Sequence, residues 1–195
     1  NGDIALGSVT GGIMILNRSG TVVQVLSQEE GLQNPNVHSI FVDREQNLWL
    51  GLDYGIDYLL SSLPLRRIYP DGDLEGTTYT AILHDGRLYC GTPNGLYFTP
   101  WKPYYDPFKG NFAPVANATG QVWGLASIDG SLLMGHDEGV LRIEGQQAVR
   151  ISPNYGHWTF LPLPEHPGFA LSGTYFGLEL LKKENGQWHF HRKLE

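Results

Sequence analysis

Apolar and polar residues alternate along this chain in short runs, and the runs recur. DIALG-SVT-GGIMI, NLWLG-LDY-GIDYL, RLYCG-TPN-GLYFT, SLLMG-HDE-GVLRI and GFALSG-TYF-GLELL share one layout: an apolar run, a glycine, three free positions, a second glycine and a second apolar run. The first glycines, Gly7, Gly51, Gly91, Gly135 and Gly173, are spaced by 44, 40, 44 and 38 residues. Their partners are Gly11, Gly55, Gly95, Gly139 and Gly177, the first followed by an extra Gly12. Before four of the five first glycines, apolar residues stand at alternate positions: Ile4 and Leu6, Leu48 and Leu50, Leu88 and Cys90, Leu132 and Met134; before Gly173 the same places hold Ala170 and Ser172. Period two marks a strand with a buried face, so these residues form the candidate core. Five positions upstream of each first glycine lie Gly2, Gln46, Gly86, Gly130 and Gly168. Asn or Asp precedes three of them, as tight hairpin turns require.

Further apolar segments complete each repeat. Val37–Val42, Tyr79–His84, Val122–Ile128 and Trp158–Leu163 precede the turns. Ile56–Leu60 with Leu65–Tyr69, and Leu178–Lys182 with Gln187–Arg192, follow the second glycines. Four short antiparallel strands in about 40 residues are the content of one β-propeller blade. The pattern therefore predicts an all-β chain, a β-propeller segment with four full blades plus three strands of another. The blade units run roughly 1–30, 31–75, 76–118, 119–154 and 155–195, as one domain over 1–195. An aromatic, proline-rich stretch, Tyr97–Phe112, departs from the repeat and is expected where the third blade's outer strand should be. An opening at Asn1 in mid-blade, without Met, predicts an excerpt of a longer protein.

Composition narrows the function. The net charge of −7, with acids and bases interspersed, argues against nucleic-acid binding, which requires a basic face. The single cysteine, Cys90, excludes an internal disulfide framework and occupies an apolar repeat position. No run approaches the length of a membrane span, so any membrane attachment lies outside these residues. Nucleophile-elbow, zinc-protease and phosphate-loop motifs are absent, and no cofactor is expected.

EGLQNPNVHSIFVDREQNLWLGLDYGIDYL closely resembles the two-component regulator propeller repeat. Gly31, Leu32, Asn36, Val37, Ser39, Ile40, Asp43, Asn47, Leu48, Trp49, Gly51 and Gly55 carry the likeness. Other blades keep the glycine pair, and Thr92 and Thr174 supply the threonine that the family prefers where this repeat has Leu52. The resemblance implies the periplasmic sensor of a Bacteroidetes-type membrane-spanning regulator. Such a sensor detects a carbohydrate or other small ligand, acts as a homodimer, and signals to a histidine kinase or DNA-binding output outside this chain. A protein-interaction scaffold and a propeller glycan hydrolase or lyase are the alternatives.

Propellers usually bind on the face where second-to-third-strand loops and blade-to-blade loops emerge. There the repeat leaves Asp53, Tyr54, Asn94, His136, Asp137, Glu138 and Tyr175 free, and blade-to-blade loops add Asn34, Asn36, Asn117, Asn154, Tyr155 and His157. Carboxylates, amides and rings of this kind recognise sugar hydroxyls and apolar sugar faces. Asp71, Asp73 and Glu75 match the opening of a calcium loop but lack the Glu at its twelfth position, where Ile82 stands. His189 and His191 share a strand face but lack a complete ligand set. Trp101, Tyr104, Tyr105 and Phe108 would form the apolar patch of a scaffold.

Overall fold

The computed structural model describes residues 2–60, 77–101 and 112–194. The described residues contain eighteen strands and fall into two compact units. The first unit holds two three-stranded antiparallel meanders. These are β1 (Ile4–Gly7), β2 (Ile13–Leu16) and β3 (Val22–Leu26), then β4 (Val37–Val42), β5 (Leu48–Leu52) and β6 (Ile56–Leu59). The second unit holds three four-stranded blades. They comprise β7 (Thr80–His84), β8 (Arg87–Thr92), β9 (Gly95–Pro100) and β10 (Ala113–Thr119); β11 (Val122–Ile128), β12 (Ser131–His136), β13 (Gly139–Glu144) and β14 (Gln147–Arg150); and β15 (His157–Pro162), β16 (Phe169–Thr174), β17 (Gly177–Glu184) and β18 (Gln187–Leu194). A parallel bridge, Ala116 to Gln147, joins the outer strands of the third and fourth blades into one eight-stranded sheet.

Two expectations change here. The outer strand of the third blade is β10, beyond the proline-rich stretch, while Tyr97–Pro100 belong to the inner neighbour β9. Asn117, expected in a blade-to-blade loop, lies within β10 at φ 60°, where the pairing with β9 shifts register. A bulge there lets an Asn adopt the left-handed region inside a strand. The predicted strand Leu65–Tyr69, the calcium candidates Asp71, Asp73 and Glu75, and Tyr104, Tyr105 and Phe108 lie outside the described residues.

Local chemistry explains the elements. Asp85-Gly86 and Asp129-Gly130 have positive φ at both residues, the geometry that matches the twist of hairpin strands. In the second blade Asp43 Oδ1 accepts the backbone N–H of Glu45 and Asn47, closing a longer turn with Gln46 at φ 66°. The core follows the alternation. In β5, Leu48 and Leu50 are buried with Ile13, Leu32 and Val37, and Trp49 between them faces out. In β12 both faces are buried. Leu132 and Met134 pack with Tyr89, Phe98 and Val122, and Leu133 packs with Val140, Ala170, Leu181 and Trp188. Cys90 is buried, and burial pushes its thiol up to about 11, the behaviour of a packed hydrophobe rather than a nucleophile.

The glycine pair divides its labour. The second member works by conformation: Gly55, Gly95, Gly139 and Gly177 all have positive φ, and in the first blade the extra Gly12 takes that part. The first member works by close approach. A Cβ at Gly7 would meet Val37, one at Gly91 would meet Val122, and one at Gly135 would stand 2.6 Å from the His157 carbonyl. In each case the neighbour opens the inner strand of the following blade. In these three blades the first glycine is therefore the seat on which the next blade rests.

Candidate functional site

The inner strands share one irregularity. Pairing slips between Val37 and Ser39 in β4, between Val122 and Gly124 in β11, and between His157 and Thr159 in β15. The skipped residues are His38, Trp123 and Trp158. In the third blade Tyr79 precedes Thr80, whose partner is Gly91, so it holds the same place. A bulge bends its strand and re-aims the side chain at that point. Each of these four blades thus projects one ring at the entry of its inner strand.

In the second unit the rings meet others. Tyr79 and Trp123 stack face to face with centroids 5.1 Å apart and planes at 2°. Trp158 meets Tyr175 edge to face at 4.6 Å, and Tyr175 meets Phe176 at 6.4 Å. Tyr79, Trp158, Tyr155, Tyr175 and Phe176 are all exposed. Backbone hydrogen bonds lace the loop tips of this unit together. Gly120 N–H donates to Asn94, Asp137 N–H to Gln121, Gly156 N–H to Asp137, and Tyr175 N–H to Gly156. Asn94, Asp137, Glu138, Tyr155, Tyr175 and the bulge rings therefore occupy one edge of the unit. Gly156 lies directly under the Tyr175 ring, where no side chain would fit. Arg150 stands over Tyr155 and Lys193 over Phe176, at 5.8 and 5.9 Å.

In four of the five blades the residue after the first glycine caps its loop. Thr92 Oγ1 accepts the Asn94 N–H, Thr174 Oγ1 the Phe176 N–H, and Ser8 Oγ the N–H groups of Thr10 and Gly11. This is the physical content of the threonine preference. Leu52 has no acceptor and instead joins the core of the first unit. His136, named as a rim residue, is buried and acts as the cap of its own loop. Its Nδ1 lies 3.0 Å from the Glu138 N–H, and its Nε2 lies 3.0 Å from the Thr119 carbonyl.

His157, also named for the rim, is wholly buried as the first residue of β15. Its Nδ1 lies 2.7 Å from Ser172 Oγ, and its Nε2 lies 3.5 Å from both Ser152 Oγ and Glu179 Oε2. Glu179, equally buried, accepts from Ser152 Oγ at 2.8 Å and from Asn154 Nδ2. This network fastens loop 152–157 beneath Tyr155 and Trp158. Sequence reasoning missed Glu179; a lone acid in the apolar run GLELL was the available signal. Burial lowers the His157 imidazole below its usual value despite the nearby Glu179. Between the lower folded value and the ordinary one near 6.5, the unfolded chain binds more protons. Stability is therefore expected to fall as pH drops through that window. Urea midpoints measured across it, compared with those of His157→Gln, check the expectation.

The first unit has a polar counterpart. Asp53 Oδ2 accepts from Asn36 Nδ2 at 2.7 Å, and its Oδ1 bonds His38 Nε2. These hydrogen bonds, His38 foremost, hold the Asp53 carboxyl below the usual range. Asn34 Oδ1 accepts the Asn36 N–H, and Tyr54 stands fully out from the turn. Among the described residues no group of three His, Cys, Asp or Glu is placed to hold a metal.

Residues 31–54 match the family model for the two component regulator propeller. Among solved structures the chain is similar to two extracellular domains assigned to hybrid two component systems of B. thetaiotaomicron. For BT4673 the identity is 19% and the TM-score 0.51, covering 100% of this chain and 30% of that one. For BT3049 the identity is 16% and the TM-score 0.59, covering 98% of this chain and 27% of that one. This chain therefore spans less than a third of the length of either. Among curated proteins no match is found. The fold is that of a β-propeller, and within its second blade residues 31–54 are similar to the two component regulator propeller repeat.

Proposed function

We propose that this chain is a ligand-sensing propeller segment of an extracytoplasmic regulator, and that it takes a carbohydrate on the ring-bearing edge of its second unit. One observation carries the reading: consecutive blades place a ring at the same inner-strand position, and loop rings pack beside them. Aromatic faces stack on the apolar faces of sugar rings. Exposed Asn94 and Glu138 stand ready as hydrogen-bonding partners for hydroxyls. The solved neighbours, extracellular parts of hybrid two-component systems, support the sensor role.

As a sensor it works by linked equilibria. Bound ligand favours one arrangement of paired chains by its difference in affinity for the two. The shift is passed to a kinase or DNA-binding output beyond these residues. Titrating the chain with a panel of neutral and acidic oligosaccharides, by tryptophan fluorescence and calorimetry, tests the reading. A binding sugar is expected to perturb the fluorescence. Trp158→Ala is expected to weaken binding about tenfold, roughly 1.4 kcal/mol. Absence of binding across the panel, or an unchanged affinity in that variant, overturns it.

A further inference from the structure

His136 Nδ1 faces two groups that make opposite demands. The Glu138 N–H, 3.0 Å away, needs an acceptor. Asp137 Oδ1, 2.9 Å away, needs a donor, and it is buried without any hydrogen-bond partner. One ring nitrogen serves only one of them. With a lone pair it accepts from Glu138; with a proton it donates to Asp137. The other nitrogen, Nε2, donates to the Thr119 carbonyl in either state.

The surroundings leave that choice to the proton. From β10 and the following turn the ring meets the Thr119 carbonyl and Gly120. From β11 its register partner is Val122, and from β13 it is Gly139. His157 presents its backbone carbonyl to the neighbouring Gly135, and its ring turns to Ser172. Asp137 is the charged group within ion-pair distance of the imidazole among the described residues, and Arg150 reaches the position of Gly139, the register partner of His136. The equivalent loops are capped by Thr92 and Thr174, which do not titrate.

We infer that His136 is a proton-operated latch on the loop tip of the fourth blade. Neutral, it holds the main chain of Glu138; protonated from solvent, it turns to the Asp137 carboxylate and releases that main chain. The tip that carries Asp137 and Glu138 thus has two arrangements, and histidine is a side chain that exchanges them by taking up one proton. The inference does not depend on what the edge binds.

Nitrogen-15 NMR of the chain from about pH 8 to about pH 5 tests it. At the alkaline end the His136 ring is expected with its proton on Nε2. As the ring titrates, the Glu138 amide is expected to shift with the same midpoint. Its hydrogen exchange, corrected for intrinsic rate, is expected to rise about tenfold or more. The Asn94 and Phe176 amides are expected to stay unmoved. In His136→Thr, which installs the cap of the sister blades, Glu138 is expected to become as insensitive as Asn94. A Glu138 amide that ignores the ring titration in the wild-type chain overturns the latch, and so does one that still titrates in His136→Thr. The wild-type experiment decides the matter even where the variant does not fold.

Discussion

Gly135→Ala is expected to destabilise the chain by about 3 kcal/mol, the upper end of overpacking costs. The added Cβ would stand 2.6 Å from the His157 carbonyl and 3.3 Å from the Trp158 Cα. Both are backbone atoms of β15, so the whole inner strand of the fifth blade must retreat. That retreat opens the cluster of Ile128, Leu133, Val140, Ala170, Leu181 and Trp188, three of which belong to the fifth blade. Gly173→Ala is the matched control. Its Cβ would meet the Thr159 Cγ2 and the Trp158 ring, side-chain atoms that shift at less cost. Urea unfolding followed by tryptophan fluorescence compares the two. Equal midpoints would show that Gly135 is not a blade seat.

Glu179→Ala is expected to cost about 4 kcal/mol, because one buried and one half-buried donor lose their acceptor, at about 1–3 kcal/mol for the buried one, and a void is left. Ser152 Oγ and Asn154 Nδ2 are those donors, and His157 loses its neighbour. Glu179→Gln keeps one carbonyl oxygen and the volume, so it is expected to cost less than half as much. The loss has a functional arm. Loop 152–157 carries Tyr155 and leads into Trp158, so the ring edge should loosen with it. Thermal melts of both variants, with near-UV circular dichroism for the rings, measure the two arms. A Glu179→Ala chain as stable as the wild type would mean that the network does not hold the loop.

The repeat, the strand content and most strand limits were legible from the residues. Val37–Val42 and Val122–Ile128 are found where the alternation placed them, and β15 is displaced by one residue. Local rules sufficed there, since alternation and Asp-Gly turns act over a few neighbours. The repeat also placed Asn94, Asp137, Glu138 and Tyr175 in loops between paired glycines and Tyr155 in a blade-to-blade loop.

Tertiary structure decided which polar residues are inside. His136 and His157 occupy loop and strand-entry positions that the pattern reads as exposed, yet packing of consecutive blades buries both. Each is buried only because an acceptor or donor from another segment meets it: the Thr119 carbonyl for His136, and Ser172, Ser152 and Glu179 for His157. The bulge that turns Trp123 and Trp158 toward their neighbours is likewise a property of pairing, one extra residue against the partner strand, and period two does not encode it. The sequence by itself determined the blades, because their signals lie within a few residues of one another. The tertiary structure decided the ring edge, the buried network and the His136 contacts, because each is made where segments far apart in the chain come together.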